Sequence, residues 1–195
     1  MVVGLTGRFC AGKDMVARLF AARGYRVVDV DSLGHEALAG KAAAVAAAFG
    51  PSVLRPDGGV DRRALGRLVF VDRRALARLE AILHPVMVER VKELIRDTPG
   101  DLLVNAAVLH RMGLHSLCGA VVCVTAPLFL RLCRAVRRDG ITVREALARI
   151  SSQGDIGAQL NDLAVDTYTV RNGGTARSLE RRVERILRRM KGGEG

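Results

Sequence analysis

The sequence predicts an α/β fold built on a parallel sheet of five strands. Three observations carry that reading. Short apolar runs alternate with longer helical patterns along the chain, an order that crossover connections turn into a parallel sheet. A glycine-rich stretch, "GRFCAGKDM" at residues 7–15, lies between the first strand and the first helix. The chain has 195 residues, 49% of them hydrophobic, enough for one domain with a sizeable core.

The elements follow in order. "VVGLT" (2–6) is a short buried strand, and the helical pattern after the glycine loop runs to about Ala22. "YRVVDVD" (25–31) is a second strand ending in two acids, and residues 33–49 are Ala-rich and helical, closed by Gly50-Pro51. "RPDGGVD" (55–61) is a turn-rich connector. Three helical stretches follow, 62–70, 72–83 and 86–97, the last two separated at His84-Pro85. "DLLVNAAVL" (101–109) and "AVVCVTA" (120–126) are two more apolar strands. Helices near 127–138 and 142–153, a loop, the strand "YTVRN" (168–172) and a helix over 176–190 complete the pattern, with a disordered tail "KGGEG".

Charge bounds the partners. There are 31 basic and 20 acidic residues, a net charge of +11. The excess is arginine, since Lys13, Lys41, Lys92 and Lys191 are the lysines. Such a chain favours polyanions. Two Tyr, five Phe and no Trp are too few for a base-stacking platform, so nucleic acid is not an expected partner. No apolar run reaches the ~18 residues of a membrane span, so no membrane partner is expected. The opening "MVVGLTG" reads as a strand entering the loop rather than as a leader. Cys10, Cys118, Cys123 and Cys133 show no metal-binding spacing and read as reduced thiols of a cytoplasmic protein.

Gly7, Gly12 and Lys13 have the G-x-x-x-x-G-K spacing of a phosphate-binding loop. The position, after a strand and at the start of a helix, aims backbone N–H groups at an anion. The next residue in that pattern is Ser or Thr, whose hydroxyl holds Mg²⁺; here it is Asp14. Asp29 and Asp31 end the second strand, and their spacing places both side chains on one face. A carboxylate there accepts a proton or organises Mg²⁺; alternatively Asp31 or Ser32 caps the next helix. Arg134, Arg137 and Arg138 either clamp phosphates from a mobile lid or form a solvated helix face. His84 is either a ligand contact or part of an ordinary helix break with Pro85 opening the next helix.

Taken together these segments resemble the dephospho-CoA kinase family over nearly the whole chain. "VVGLTGRFCAGKDMVA" is similar to the family's opening strand and P-loop. "GGVDRRALGRLVFVDRRALARLEAILHPVM" carries D-R-x-x-L-x-x-x-V-F and L-E-x-I-x-H-P, the most specific match. "RLCRAVRRDGITVREALARISSQ" is similar to its lid, with R-x-x-x-R-D at Arg134 to Asp139 and R-I-x-x-Q at Arg149 to Gln153, and "TVRNGG" resembles the late loop that receives adenine.

The resemblance implies a single P-loop kinase domain: core 1–50, 100–127 and 165–190, a helical CoA-side lobe at about 55–98, and an arginine lid at about 128–153. It implies phosphorylation of the ribose 3′-hydroxyl of dephospho-CoA by ATP with Mg²⁺, in a cytoplasmic monomer or weak oligomer. Lys13, Asp31, Arg134 and Arg138 are the expected catalytic residues. Gly7, Cys10, Ala11, Gly12, Lys13, Asp14, Met15 and Asn172 are expected to bind ATP. Asp29, His35 and His84 are expected on dephospho-CoA, and Asp14 and Asp31 on the metal. The sequence departs from the family at Cys10 (for Gly) and at Asp14-Met15 (for Ser-Thr). It departs again where D-x-P-L-L-x-E becomes "NAAVLHR", with Asn105, Ala107 and Arg111 at the changed positions. These departures keep open a non-catalytic nucleotide- or CoA-binding paralogue on the same scaffold.

Overall fold

The first strand of the chain is the middle strand of the sheet. β1 (Val2–Gly7) pairs in parallel with β3 (Leu102–Asn105) on one side and β4 (Ala120–Thr125) on the other. With β2 (Arg26–Asp29) and β5 (Asp166–Arg171) at the edges, the order is β2-β3-β1-β4-β5. The structure is a computed structural model, and it describes residues 1–152 and 164–192.

The apolar runs are continuous rather than alternating because the central strands are covered on both faces. Val3, Leu5, Leu103, Val122 and Val124 share a core with Val16 and Phe20 of α1 (Lys13–Ala21). The helix α8 (Ala176–Gly192) adds Leu179, Val183 and Ile186 to it. Arg23, just past α1, ties it to α8 by hydrogen bonds to Glu184 at 2.7 Å and Glu180 at 3.3 Å. Elsewhere in the sheet, a Cβ on Gly4 would stand 2.7 Å from Leu109 Cδ2. Leu109 therefore presses directly on the middle strand, which is why that strand contains a glycine.

Two compact units emerge, Met1–Val28 with the residues from Thr98 onward, and Asp29–Asp97. The first contains the sheet's centre, α1, α8, and the two helices after β4. The second is helical: α2 (Val30–Gly40), α3 (Ala42–Phe49), α4 (Arg62–Val69) and α5 (Arg73–Asp97). It has its own core of Leu38, Val45, Val53, Val60, Leu65 and Val69.

Several expected boundaries move, each for a local reason. The second strand stops at Asp29, which becomes the N-cap of α2 by accepting from Asp31 N at 3.1 Å and Ser32 Oγ at 3.1 Å. Asp31 therefore lies in the first helical turn and shares no strand face with Asp29. The helical stretch expected over 33–49 starts at Val30 and is divided at Gly40-Lys41 into two helices. The strand expected over 101–109 ends at Asn105, where the chain turns so that Leu109 can reach the sheet. The arginine-rich stretch forms α6 (Leu128–Asp139) and α7 (Val143–Ser152), and Gln153 lies outside the described residues. Lys191 and Gly192 extend α8, and the last three residues of the expected tail lie outside the described residues.

The expected break at His84-Pro85 is absent: α5 runs through Pro85 for 25 residues. Apolar side chains on both sides of the proline, Leu79 and Ile82 before it and Met87 and Val91 after it, are buried or half-buried in the helical unit. Tertiary packing outweighs the hydrogen bond that proline cannot donate. An interior proline costs ~3 kcal/mol relative to alanine in host helices. Pro85 is exposed, so Pro85→Ala introduces no clash. We expect it to raise the thermal midpoint by at least ~2 °C, read by circular dichroism; an unchanged midpoint would show that the helix has fully accommodated the proline.

Candidate active site

The site is built at the carboxyl end of β1. Gly7 leaves the strand where no side chain fits, since a Cβ would stand 2.8 Å from Val124 O. Arg8 N then bonds Val124 O at 3.0 Å, and Ala11 N closes a turn on Arg8 O at 2.9 Å. Cys10 at φ +56° and Gly12 at φ +88° are both left-handed, a conformation that costs a non-glycine residue about 1–2 kcal/mol. Gly12 is the N-cap of α1 and offers no capping side chain. The first N–H groups of α1 thus open into the loop, with Lys13 and Asp14 in its first turn.

Three distant side chains hold the outer carbonyls of this loop. Arg131 Nε donates to Phe9 O at 2.8 Å. Arg134 donates to Ala11 O at 3.2 Å, Cys10 O at 3.5 Å and Asn172 O at 3.3 Å. Asn172 Nδ2 donates to Ala11 O at 2.8 Å. A trans peptide points its C=O and the following N–H in opposite directions. Fixing Phe9 O and Ala11 O on one side therefore aims the N–H groups of Cys10 and Gly12 to the other. Neither of these N–H groups has a hydrogen-bond partner among the described residues.

Arg131 is only 4% exposed, and burial, then the charge of Arg8, lowers its pKa below the ordinary guanidinium range. The sequence reading passed it over, although its four-residue spacing from buried Ala135 put a charge on the buried face of α6. Asn172, expected beside adenine, is 3% exposed with its amide turned to the loop. Arg138 makes a bidentate pair with Asp139 at 2.7 and 3.1 Å, which raises its pKa. The Cys10 thiol is pushed up by burial, which outweighs the lowering effect of Arg138.

A cleft of about 470 Å³ opens beside the loop, lined by Cys10, Asp14 and Met15 and by the guanidiniums of Arg18, Arg134, Arg137 and Arg138. Arg18 was not singled out from sequence. Asp14 is close enough to raise the Arg138 pKa, so its charge is set among cations. Mg²⁺ characteristically takes one or two protein oxygens and completes its shell with phosphate and water. The donors here suit that mode: the exposed carboxylate of Asp14, and Asn105, whose buried Oδ1 has no hydrogen bond and whose backbone is in register with Leu5. Among the described residues no cluster of three or more His, Cys, Asp or Glu gathers to hold an ion.

Asp29, Asp31, His35 and His84 all fall in the helical unit. Asp31 and His35 are one turn apart on α2 and share a face. His84 is half-buried on α5. No cysteine among the described residues forms a disulfide, and Cys118 and Cys123 are buried. No helix among the described residues is long and apolar enough to cross a membrane.

A glycine loop that ends the middle strand of a parallel sheet and opens a helix with a lysine is a P-loop, and the fold around it is that of the P-loop kinases. The fold of an Acinetobacter baumannii shikimate kinase agrees, with a TM-score of 0.58 at 17% identity over 98% of this chain and 93% of that one. The chain belongs to the dephospho-CoA kinase family, whose profile matches residues 1–178. It is 38% identical over 201 residues to the dephospho-CoA kinase of Anaeromyxobacter dehalogenans, covering 100% of this chain and 94% of that one. The solved Thermus thermophilus protein TT1252 superposes with a TM-score of 0.81 at 31% identity, covering 96% of each chain.

The carbonyl contacts generate a test. A hydrogen bond from a charged group contributes about 1.5–3 kcal/mol. Arg131→Met keeps the bulk of the side chain and removes the bond to Phe9 O. We expect nucleotide affinity to fall at least tenfold by calorimetry while the far-ultraviolet spectrum is unchanged. Unaltered affinity would show that the loop holds its shape without Arg131.

Proposed function

We propose that this chain transfers the γ-phosphoryl group of ATP to the ribose 3′-hydroxyl of dephospho-CoA, the last step of coenzyme A synthesis. The observation that most supports this reading is the uncapped start of α1, with Lys13 in its first turn and the loop's N–H groups aimed at one side. Phosphoryl transfer needs positioning and charge stabilisation above all, and a preset ring of N–H donors supplies both without reorganising during the reaction.

In this reading Gly7, Cys10, Ala11, Gly12 and Met15 shape the phosphate cradle. Lys13 holds the β- and γ-phosphates, and Arg138, with Arg137, meets the charge that spreads over the transferred group. Arg134 and Asn172 position the loop through its carbonyls. Asp31 accepts the proton that leaves the 3′-hydroxyl as the new O–P bond forms. Asp29, His35 and His84 orient dephospho-CoA. Mg²⁺ bound with ATP neutralises phosphate charge, and Asp14 and Asp31 are the carboxylates assigned to it.

One coupled assay, ADP release with and without dephospho-CoA, tests the activity. We expect release to depend on dephospho-CoA. Lys13→Ala should lose at least tenfold in turnover, the value of one charge-assisted phosphate contact. Asp31→Asn should lower kcat roughly 10²–10⁴-fold with ATP affinity nearly intact, the size of a general-base contribution. Asn caps a helix as well as Asp does, so a fully active Asp31→Asn protein would make Asp31 a structural residue. Nucleotide binding without turnover in the native protein would select the non-catalytic alternative.

Asp14 yields a separate prediction. A carboxylate about 5 Å from a phosphate charge costs roughly 3 kcal/mol at an effective dielectric near 20, and the helix N-terminus offsets only ~0.3–1 kcal/mol. Mg²⁺ and the cleft arginines are the two ways to offset the remainder. If the metal does so, Asp14→Asn should strengthen ATP binding in EDTA and raise the Mg²⁺ concentration for half-maximal activity at least tenfold. An Mg²⁺ dependence identical in the two proteins would assign the compensation to Arg137 and Arg138 alone.

A further inference from the structure

The charge on α8 is one-sided. At about 100° per residue, Arg177, Arg181, Arg185, Arg188 and Arg189 fall within an arc of about 120°, opposite the buried Leu179, Val183, Ile186 and Met190. All five arginines are exposed, and none has a hydrogen bond or ion pair among the described residues. The acids of the helix lie on one flank of this stripe and are taken: Glu180 and Glu184 meet Arg23 at 3.3 and 2.7 Å. The other bases of the helix are engaged as well. Arg182 donates to Arg171 O, and Lys191 stands 4.0 Å from Asp101. From Arg177 to Arg188 the stripe runs ~16 Å along the helix, with no carboxylate left to neutralise it.

A cavity of about 490 Å³ opens beside the C-terminal end of the stripe, within the sheet-containing unit. Arg188 belongs to both features. The apolar wall of the cavity is Tyr25 and Leu187, which are part of the main core. Tyr25 is set edge-on against Phe20, with ring centroids 5.0 Å apart. Arg23 fixes part of the rim, since it donates to Leu19 O at 3.0 Å as well as to the two glutamates. The cavity is therefore preformed. Tyr25 directly precedes β2, and Arg26 N bonds Asp101 O just ahead of β3 at 2.9 Å. This is the amino end of the sheet, whereas the phosphate loop leaves the carboxyl end of β1. Phosphoryl transfer uses neither the stripe nor the cavity.

The surroundings select among polyanions. A helix that lies on a bilayer needs large apolar side chains beside its cations. The apolar face of α8 is buried in the core, and no exposed large apolar residue lies on this helix. A single-stranded nucleic acid needs an open ring to stack on, and Tyr25 is 3% exposed. An acidic protein segment needs neither.

We propose that the α8 stripe and its cavity form a docking surface for an acidic, amphipathic helical segment of another protein. Carboxylates one helical turn apart meet arginines that have the same spacing. One large apolar side chain of the partner, Leu or Phe, enters the cavity and fixes the register.

The test uses the full chain. A displayed library of random peptides of about 16 residues, long enough to cover the stripe as a helix, is selected on the native protein. Affinities of the enriched peptides are then measured by fluorescence anisotropy on two variants. One combines Arg181→Gln, Arg185→Gln and Arg188→Gln, and Gln keeps the helix propensity. The other is Gly192→Phe, where a Cβ meets nothing within 4 Å and the ring fills the mouth of the cavity. We expect the enriched peptides to combine several Asp or Glu with one Leu or Phe. Their affinity should fall about tenfold or more in the neutralised variant and by a similar factor in Gly192→Phe, with circular dichroism spectra and kinase activity unchanged in both. Equal binding to native and neutralised protein overturns the proposal. So does enrichment of acidic peptides that lack an apolar residue, or binding that Gly192→Phe leaves unaltered. Tighter binding to phosphatidylglycerol vesicles or to an oligodeoxythymidine than to the selected peptides overturns it in favour of that partner.

Discussion

The carbonyl oxygen of Ala11 accepts two hydrogen bonds, from Asn172 Nδ2 at 2.8 Å and Arg134 at 3.2 Å. The geometry of the phosphate loop depends on this pair and on Arg131 at Phe9 O. A glycine-containing loop has many accessible shapes and little side-chain packing to choose among them. Anchoring its carbonyls from outside selects one shape, and the planarity of the peptide converts that selection into a direction for the N–H groups. The arginines contribute twice. They neutralise the outward ends of the peptide dipoles, and their net charge remains to attract an anion. Their own partners are neutral backbone atoms, so pairing does not cancel that charge.

The sheet's alternating order and the loop were legible in the sequence because their signals are local. Buried strands read as apolar runs, and the spacing of Gly7, Gly12 and Lys13 fits within seven residues. The anchoring was not legible. Arg131 meets Phe9 across 122 positions and Asn172 meets Ala11 across 161, and no local pattern announces which arginine of an arginine-rich helix turns inward. Burial on one face of α6 was the available hint. Asp29 shows the opposite failure. Its strand-like neighbours argued for alternation, but two hydrogen bonds from the next turn made it a cap. Pro85 shows tertiary packing overriding a strong local signal.

The two units handle charge differently. In the sheet-containing unit, guanidiniums are drawn onto backbone carbonyls around a loop, with Asp14 among them. In the helical unit, Asp57 and Asp61 are fixed by a turn and a helix cap, and Arg62 and Arg63 have no ion pair among the described residues. A net charge of +11 thus has a local form in each.

Gly12 and Asn172 also constrain each other. A Cβ at position 12 would stand 2.3 Å from Asn172 Nδ2, and the left-handed φ of +88° disfavours any side chain there as well. Replacing Asn172 by a smaller residue would clear that space but leave Ala11 O to Arg134 alone, and replacing Gly12 alone would drive the amide away from the carbonyl it holds. Neither single step preserves the loop. The two positions therefore form one structural unit despite the 159 residues between them.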